Sequence, residues 1–205
     1  MNKGYILLLI FNLIYLIAFA VYYVSIGNYE FLLYIFVIVV IGLVVLTTLK
    51  KSGLDNFSLW GLSIWGFLHM VGGGVKITGE TVYKIKLIDI VDLGGDFYIL
   101  KMDQVIHFYG FMVAAIVVYQ LLQAISADAR HSPKLAIFLA WTGSMGLGAL
   151  NEVIEFIAFV ILSETGVGDI YNTGLDLIFN MAGALLGAFI AHKREKIQPT
   201  RRVEI

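Results

Sequence analysis

Six stretches of this chain are too long and too apolar to lie in water. Residues 5–26, 31–49, 57–75, 103–125, 135–162 and 173–192 each approach or exceed the roughly 20 residues that a helix needs to cross a hydrocarbon core about 30 Å thick. In lipid the backbone must satisfy its own hydrogen bonds, which helices do within one segment. The expected fold is therefore all-α: a polytopic membrane helix bundle with six transmembrane helices, forming one domain over residues 1–205. Composition agrees, at 60% hydrophobic and 14% charged residues, a balance that leaves little for a solvated surface. Cysteine is absent, which removes disulfides, thiolate nucleophiles and cysteine-based metal sites.

The segments between the apolar runs set the topology. Residues 27–30 are a short turn, so the first two spans form an antiparallel hairpin. Ala18-Phe19-Ala20 has the form of a cleavage site, but the apolar run continues through Val24, and the expectation is an uncleaved first span. Lys50-Lys51-Ser52-Gly53 stops the second span, and Gly72-Gly73-Gly74 ends the third. Residues 76–102 are the one long polar connection. There Tyr83, Ile85 and Leu87 alternate with Lys84 and Lys86 ahead of Gly94-Gly95, which predicts a small strand pair or a cover over the bundle end. Within the fifth span, Gly143, Ser144, Gly146, Gly148 and Ala149 are small residues of the kind that let membrane helices approach closely.

Six spans place the N-terminus, the turns at Lys50 and Ser126 and the tail from Lys193 on one side. Ten of the 14 Lys and Arg residues fall there, against Lys76, Lys84, Lys86 and Lys101 opposite. The positive-inside rule then predicts cytoplasmic termini in a cell-membrane protein, with the connection 76–102 extracytoplasmic. Because most cations flank spans, no basic, aromatic-interleaved surface for nucleic acid is expected.

Against this apolar background the ionisable residues stand out, since a charge within a span costs a few kcal/mol and usually marks function. Glu155 lies seven positions before Leu162, roughly 10 Å at helical rise. His69, Asp103, His107, Asn151, Glu152, Glu155, Asn172, Asp176 and Asn180 therefore share one shallow layer near the extracytoplasmic end, and the other half of the bundle holds nothing comparable. Asp103/His107 and Asp176/Asn180 are i,i+4 pairs and Glu152/Glu155 is i,i+3, so each pair shares a helix face. One such pair reads well as an interhelical clamp worth about 1 kcal/mol. Nine polar side chains exceed what packing requires. His131 and His192, on the opposite side, read as solvated, and Gly183 and Gly187 as packing residues.

Carboxylates with one or two imidazoles form a ligand set for a divalent metal ion, with Mg, Mn, Zn and Fe all open. The expected metal ligands are His69, Asp103, His107 and Glu152. Glu155 and Asp176 are the expected catalytic acids or bases toward a metal-bound water, and Asn151, Asn172 and Asn180 support them. The leading expectation is a metal-assisted hydrolase or transferase on a lipid-linked or amphiphilic substrate, with membrane lipid as its other partner. A cation- or proton-coupled transporter or channel subunit, and a non-catalytic bundle that binds a partner, are the alternatives. No P-loop, Gly-x-Ser-x-Gly or His-Glu-x-x-His motif favours a named reaction.

Taken in order, Asp103-Gln104-x-x-His107-Phe108-Tyr109-Gly110, Asn151-Glu152-x-x-Glu155-Phe156 and Tyr171-Asn172-Thr173-x-x-Asp176-Leu177-x-x-Asn180-x-x-Gly183 resemble the YjdF-like family of small prokaryotic integral membrane proteins. The resemblance runs from about His69 to Gly187. More distantly, the Asp-x-x-x-His, acidic and Asp-x-x-x-Asn-x-x-Gly helices are similar to VanZ-like proteins linked to glycopeptide resistance. Glu155 departs from the glutamine-type pattern of that group. The YjdF-like family has no established activity, so the resemblance implies which residues form the site rather than which reaction they carry out.

Overall fold

In the computed structural model the described residues, 3–95, 97–162, 165–166 and 168–201, form seven α-helices and two small β-hairpins. The helices are α1 (Lys3–Ile26), α2 (Tyr29–Ser52), α3 (Asn56–Gly74), α4 (Met102–Ile125), α5 (Ala127–His131), α6 (Pro133–Ile161) and α7 (Ile170–Ile197). Every expected span is a helix, with ends within a few residues of the apolar runs. Five of them, α1, α2, α4, α6 and α7, are long and apolar enough to cross a membrane. The chain is thus an all-α membrane helix bundle. Helix α3 is also apolar along much of its 19 residues, but five glycines, two serines and His69 lower its hydropathy.

Helix ends follow local chemistry. Asn28 and Asp55 accept the amide hydrogens of Phe31 and Ser58, starting α2 and α3. Gly53, at φ 69°, ends α2 in the left-handed conformation that suits glycine. The polar segment after α4 is not all turn, because Ser126 caps the short helix α5 through the amide of Ala129.

Helix α4 is the centre, packed by α7, α6 and α3. Its contact with α7 is backbone to backbone: a Cβ on Gly183 would lie 2.1 Å from the Phe108 carbonyl oxygen, and one on Gly187 would lie 2.0 Å from that of Met112. Ala184, Ala188 and Ala191 continue that contact. These are packing glycines, as expected. Of the small residues on α6, Ser144 bonds the Phe111 carbonyl at 2.8 Å and Gly148 meets Asn180, whereas Gly146 and Ala149 face outward.

Helices α1 and α2 bury little beyond an aromatic seam of Tyr15, Tyr23, Phe31 and Tyr34. Val21 and Ile14 stay 67% and 64% exposed. So broad an apolar exterior suits lipid, not water.

The connection between α3 and α4 forms two antiparallel hairpins. Strand β1 (Lys76–Ile77) pairs with β2 (Glu80–Thr81), and β3 (Lys86–Asp92) pairs with β4 (Tyr98–Lys101) around a turn where Gly94 and Gly95 have φ of 85° and 56°. The expected alternation starts too early: Val82–Lys84 is a 3-10 turn, and the strand begins only at Lys86. Val82 is buried there, and Tyr83 packs against the rings of Phe31 and His69.

The end of the bundle away from the connection is more polar than expected. Arg194 pairs with Asp55 at 2.9 Å, Ser58 donates to Gln120 at 2.7 Å, and Tyr119 bonds His192 at 3.0 Å. His192 is therefore half-buried and partnered rather than simply solvated, while His131 is exposed. Burial pushes the Asp55 carboxyl up, but the Ser58 amide, the Gln120 and Ser58 side chains and Arg194 outweigh it and hold it below the usual carboxylate value.

Candidate functional site

The first turn of α4 is fixed from the hairpin beside it. Gln104 accepts the Lys101 amide hydrogen at 3.1 Å and donates to the Tyr98 carbonyl at 2.7 Å, which anchors the helix where β4 ends. Asp103 and His107, one turn apart, are both buried. The His107 ring lies between carboxylates, with Nε2 3.7 Å from Asp103 Oδ1 and Nδ1 3.8 Å from Glu152 Oε1. Nδ1 is also 3.1 Å from Asn180 Oδ1.

Helix α7 supplies the facing wall. Asp169 caps it by accepting the amide hydrogens of Tyr171 and Asn172 at 2.9 and 3.0 Å. Asn172, Asp176 and Asn180 then recur at four-residue spacing on one buried face. Asn172 donates to Asp176 Oδ2 at 2.6 Å and to Asp103 Oδ2 at 3.3 Å, tying the two acids together. Its carbonyl oxygen accepts from Lys101 Nζ. Helix α6 closes the third side with buried Glu152 and half-buried Glu155, whose Oε1 accepts from Asn151 at 2.7 Å.

Asp103, His107, Glu152, Glu155, Asp176 and the three asparagines thus meet where α4, α6 and α7 converge. Two overlapping groups offer ligand atoms within 4.8 Å of one another: Asp103, His107 and Asp176, and His107, Glu152 and Glu155. Oxygen donors with one imidazole fit a hard or borderline divalent cation. Two further observations support the fit. Glu152 Oε1 and Asp176 Oδ1 are buried and accept no hydrogen bond, a costly state for a carboxylate. Four acids also face one imidazole and the single buried ammonium of Lys101, a local negative excess among the described residues.

His69 lies elsewhere. Its Nδ1 is hydrogen-bonded to the Tyr83 hydroxyl, and its ring packs against Trp65, Tyr34 and Phe31 at 5.3–5.8 Å. Among the described residues it joins neither ligand group. Burial, then the charges of Asp103 and Glu155, push the Tyr83 hydroxyl well above its usual pKa, so it remains a neutral donor. Both residues line a cavity of about 920 Å³ beside the carboxylate cluster, which also reaches Asp103 and Glu155.

That cavity brings in residues the sequence does not single out. Glu30 is buried on α2, where its carboxylate accepts from Tyr34 at 3.1 Å and from the Gly166 amide at 2.6 Å. In sequence it reads as an ordinary acid in the first turn of a helix. Lys101 reads as a flanking cation, yet it is buried and lines the cavity. Only its nearness to Asp103 hints at that role.

A family model described as "Predicted membrane protein (DUF2238)" matches residues 7–196. No curated protein and no solved structure matches the chain.

Proposed function

Because the chain belongs to the DUF2238 family of predicted membrane proteins, a description that names no reaction, we propose its function from the site: metal-assisted hydrolysis or group transfer on an amphiphilic substrate at a membrane surface. The observation that carries this reading is the pair of orphaned buried carboxylate oxygens, on Glu152 and Asp176, flanking one imidazole. The motif likeness to YjdF-like and VanZ-like proteins supports the same choice of residues. In this reading α3 is a sixth span of one transmembrane domain, both termini are cytoplasmic, and the site faces the extracytoplasmic side, as the lysine and arginine distribution favours.

Hydrogen bonding assigns the roles. The Asn180 carbonyl oxygen beside His107 Nδ1 selects the tautomer with the proton on Nδ1, which leaves the Nε2 lone pair turned toward Asp103. Asp103, His107 and Asp176 are then the metal ligands. Asn172 orients both acids, and Asn180 fixes the ring, as outer partners of metal sites do. Glu152 and Glu155 remain to take the proton of a water poised for attack. Relative to the sequence expectation, Asp176 exchanges roles with Glu152. His69, already engaged by Tyr83, becomes a cavity wall.

Metal analysis of protein purified after exposure to Mg, Mn, Fe and Zn tests the reading. About one equivalent of one ion is expected, reduced to background in Asp176→Asn and His107→Gln. A metal-free wild type would overturn it. The transport alternative needs a polar route onward through the bundle. Beyond His107, however, Phe111, Ala115, Ile116, Ala184 and Ala188 form an apolar layer.

A further inference from the structure

The cavity beside the acid cluster has two chemically distinct walls. Lys76, Lys84 and Lys101 line it from the hairpin connection, while Glu30, Asp103 and Glu155 line it from α2, α4 and α6. Three cations and three acids thus line one space, sorted by element. Among the described residues, no ion pair engages Lys76 or Lys84, and both are exposed. The connection does pair one of its lysines internally, Lys86 with Asp92 at 3.3 Å, so ammonium groups there are not uniformly left to solvent. A third side, at the α1–α2 turn and the end of α6, presents Ile26, Phe31 and Leu162.

Resting on the metal reading above, we infer that this cavity binds a phosphate monoester carried on an apolar tail. The phosphate lies between the lysines and the acid cluster, and the tail leaves past Ile26 and Leu162. The chemistry follows from the sorting of charge. Carboxylates alone repel an anion, but a divalent cation held by Asp103, His107 and Asp176 would offer a phosphate oxygen a local positive contact. A phosphate then lies between that contact and the ammonium groups, which bind phosphate as point charges. Lys101 lies nearest the cluster, linked to Asp103 and Asp176 through Asn172. Lys76 and Lys84, on an exposed hairpin and the turn after it, meet the headgroup first. A cavity of about 920 Å³ exceeds what a free phosphate needs and falls in the range of pockets that enclose organic ligands.

Trp65 stacks on His69, itself a residue of the cavity wall, with ring centroids 5.6 Å apart, and so provides an intrinsic probe one ring removed from the cavity. Purified full-length protein in detergent is titrated with dioctanoyl phosphatidic acid, dioctanoylglycerol, octanoate and inorganic phosphate, following tryptophan fluorescence. Saturable quenching is expected with phosphatidic acid, at least tenfold tighter than with the other three. The double variant Lys76→Gln/Lys84→Gln, which alters only exposed side chains, is expected to bind about tenfold more weakly, and Lys101→Gln more weakly still. Equal binding of dioctanoylglycerol or octanoate, or unchanged affinity in the double variant, overturns the inference. Equal binding of inorganic phosphate overturns the tail and leaves a free-anion site. Repeating the titration after chelation separates the two proposals. Lysine-dependent selectivity that survives in a protein shown to bind no metal sinks the metal reading alone. Loss of selectivity in metal-loaded protein sinks this inference alone.

Discussion

The two ends of the bundle both bury polar side chains, and they do so in opposite ways. At the tail end each group meets a complement: Asp55 faces Arg194, Ser58 faces Gln120, and Tyr119 faces His192. Only Arg194 Nε is left over among them. At the connection end four acids crowd one imidazole, two buried oxygens accept nothing, and a cavity opens alongside. Polar residues that serve packing alone are selected in matched pairs, because an unmatched buried group costs about 1–3 kcal/mol. A cluster that stays unmatched is costly unless something outside the chain completes it. The contrast, more than the presence of acids, is what marks a site.

The largest effect expected from that contrast is metal-dependent stabilisation. An ion that binds only the folded chain adds about 2.7 kcal/mol at a concentration 100 times its Kd. Thermal unfolding in detergent should therefore rise with the bound ion in the wild type. In Asp176→Asn it should not move, and in Asp55→Asn it should rise as in the wild type. Equal loss of the shift in both variants would erase the distinction between the two ends.

Without metal, the two ends should respond to neutralisation with opposite signs. Glu152→Gln removes one of four clustered acids and an orphaned oxygen, and should stabilise the metal-free protein by on the order of 1 kcal/mol, at the expense of the proposed reaction. Ser58→Ala instead strands the buried Gln120 oxygen, and should destabilise by about 1–3 kcal/mol. Chemical denaturation of both variants gives the comparison, and a destabilised Glu152→Gln would mean that the acid is structurally satisfied after all.

Much of this contrast is legible in the sequence because hydropathy and helical spacing are one-dimensional signals. Runs of apolar residues locate the helices, and spacing of four places Asp103 with His107 and Asp176 with Asn180. Depth along each span then brings Glu152 into the same layer. What is not legible depends on rotation and on loops. His69 lies at the expected depth on α3, but its ring turns toward Tyr83 and the α2 aromatics instead of the cluster. Tyr83 comes from a 3-10 turn that reads as part of a strand. Glu30 and Lys101 look like flanking charges, yet both are buried, Glu30 bonded by the Gly166 amide and Lys101 by Asn172. The tail-end pairs escape notice for a related reason: Ser58, Gln120 and His192 are individually unremarkable, and only the crossing of α3, α4 and α7 brings them into register.

The smallest effect concerns the ion pair between Asp55 and Arg194 at the tail end. Asp55 caps α3 through the Ser58 amide and pairs with Arg194, and both side chains are partly exposed, so solvent screens the ion pair to about 1 kcal/mol or less. Its folded pKa is held below that of the unfolded chain. The folded state therefore favours the ionised form, and its contribution is fully present above the unfolded carboxylate value of about 3.9. As pH falls through the folded value, the carboxyl protonates and that contribution is lost. The denaturation midpoint of the wild type should thus drop more steeply below about pH 4 than that of Asp55→Asn, while the two curves run parallel from pH 5 to 8. Asparagine keeps a cap on α3, so the difference between the curves isolates the charge. A difference that instead persisted unchanged into acid would assign the stabilisation to the cap and leave the tail end with no electrostatic component of its own.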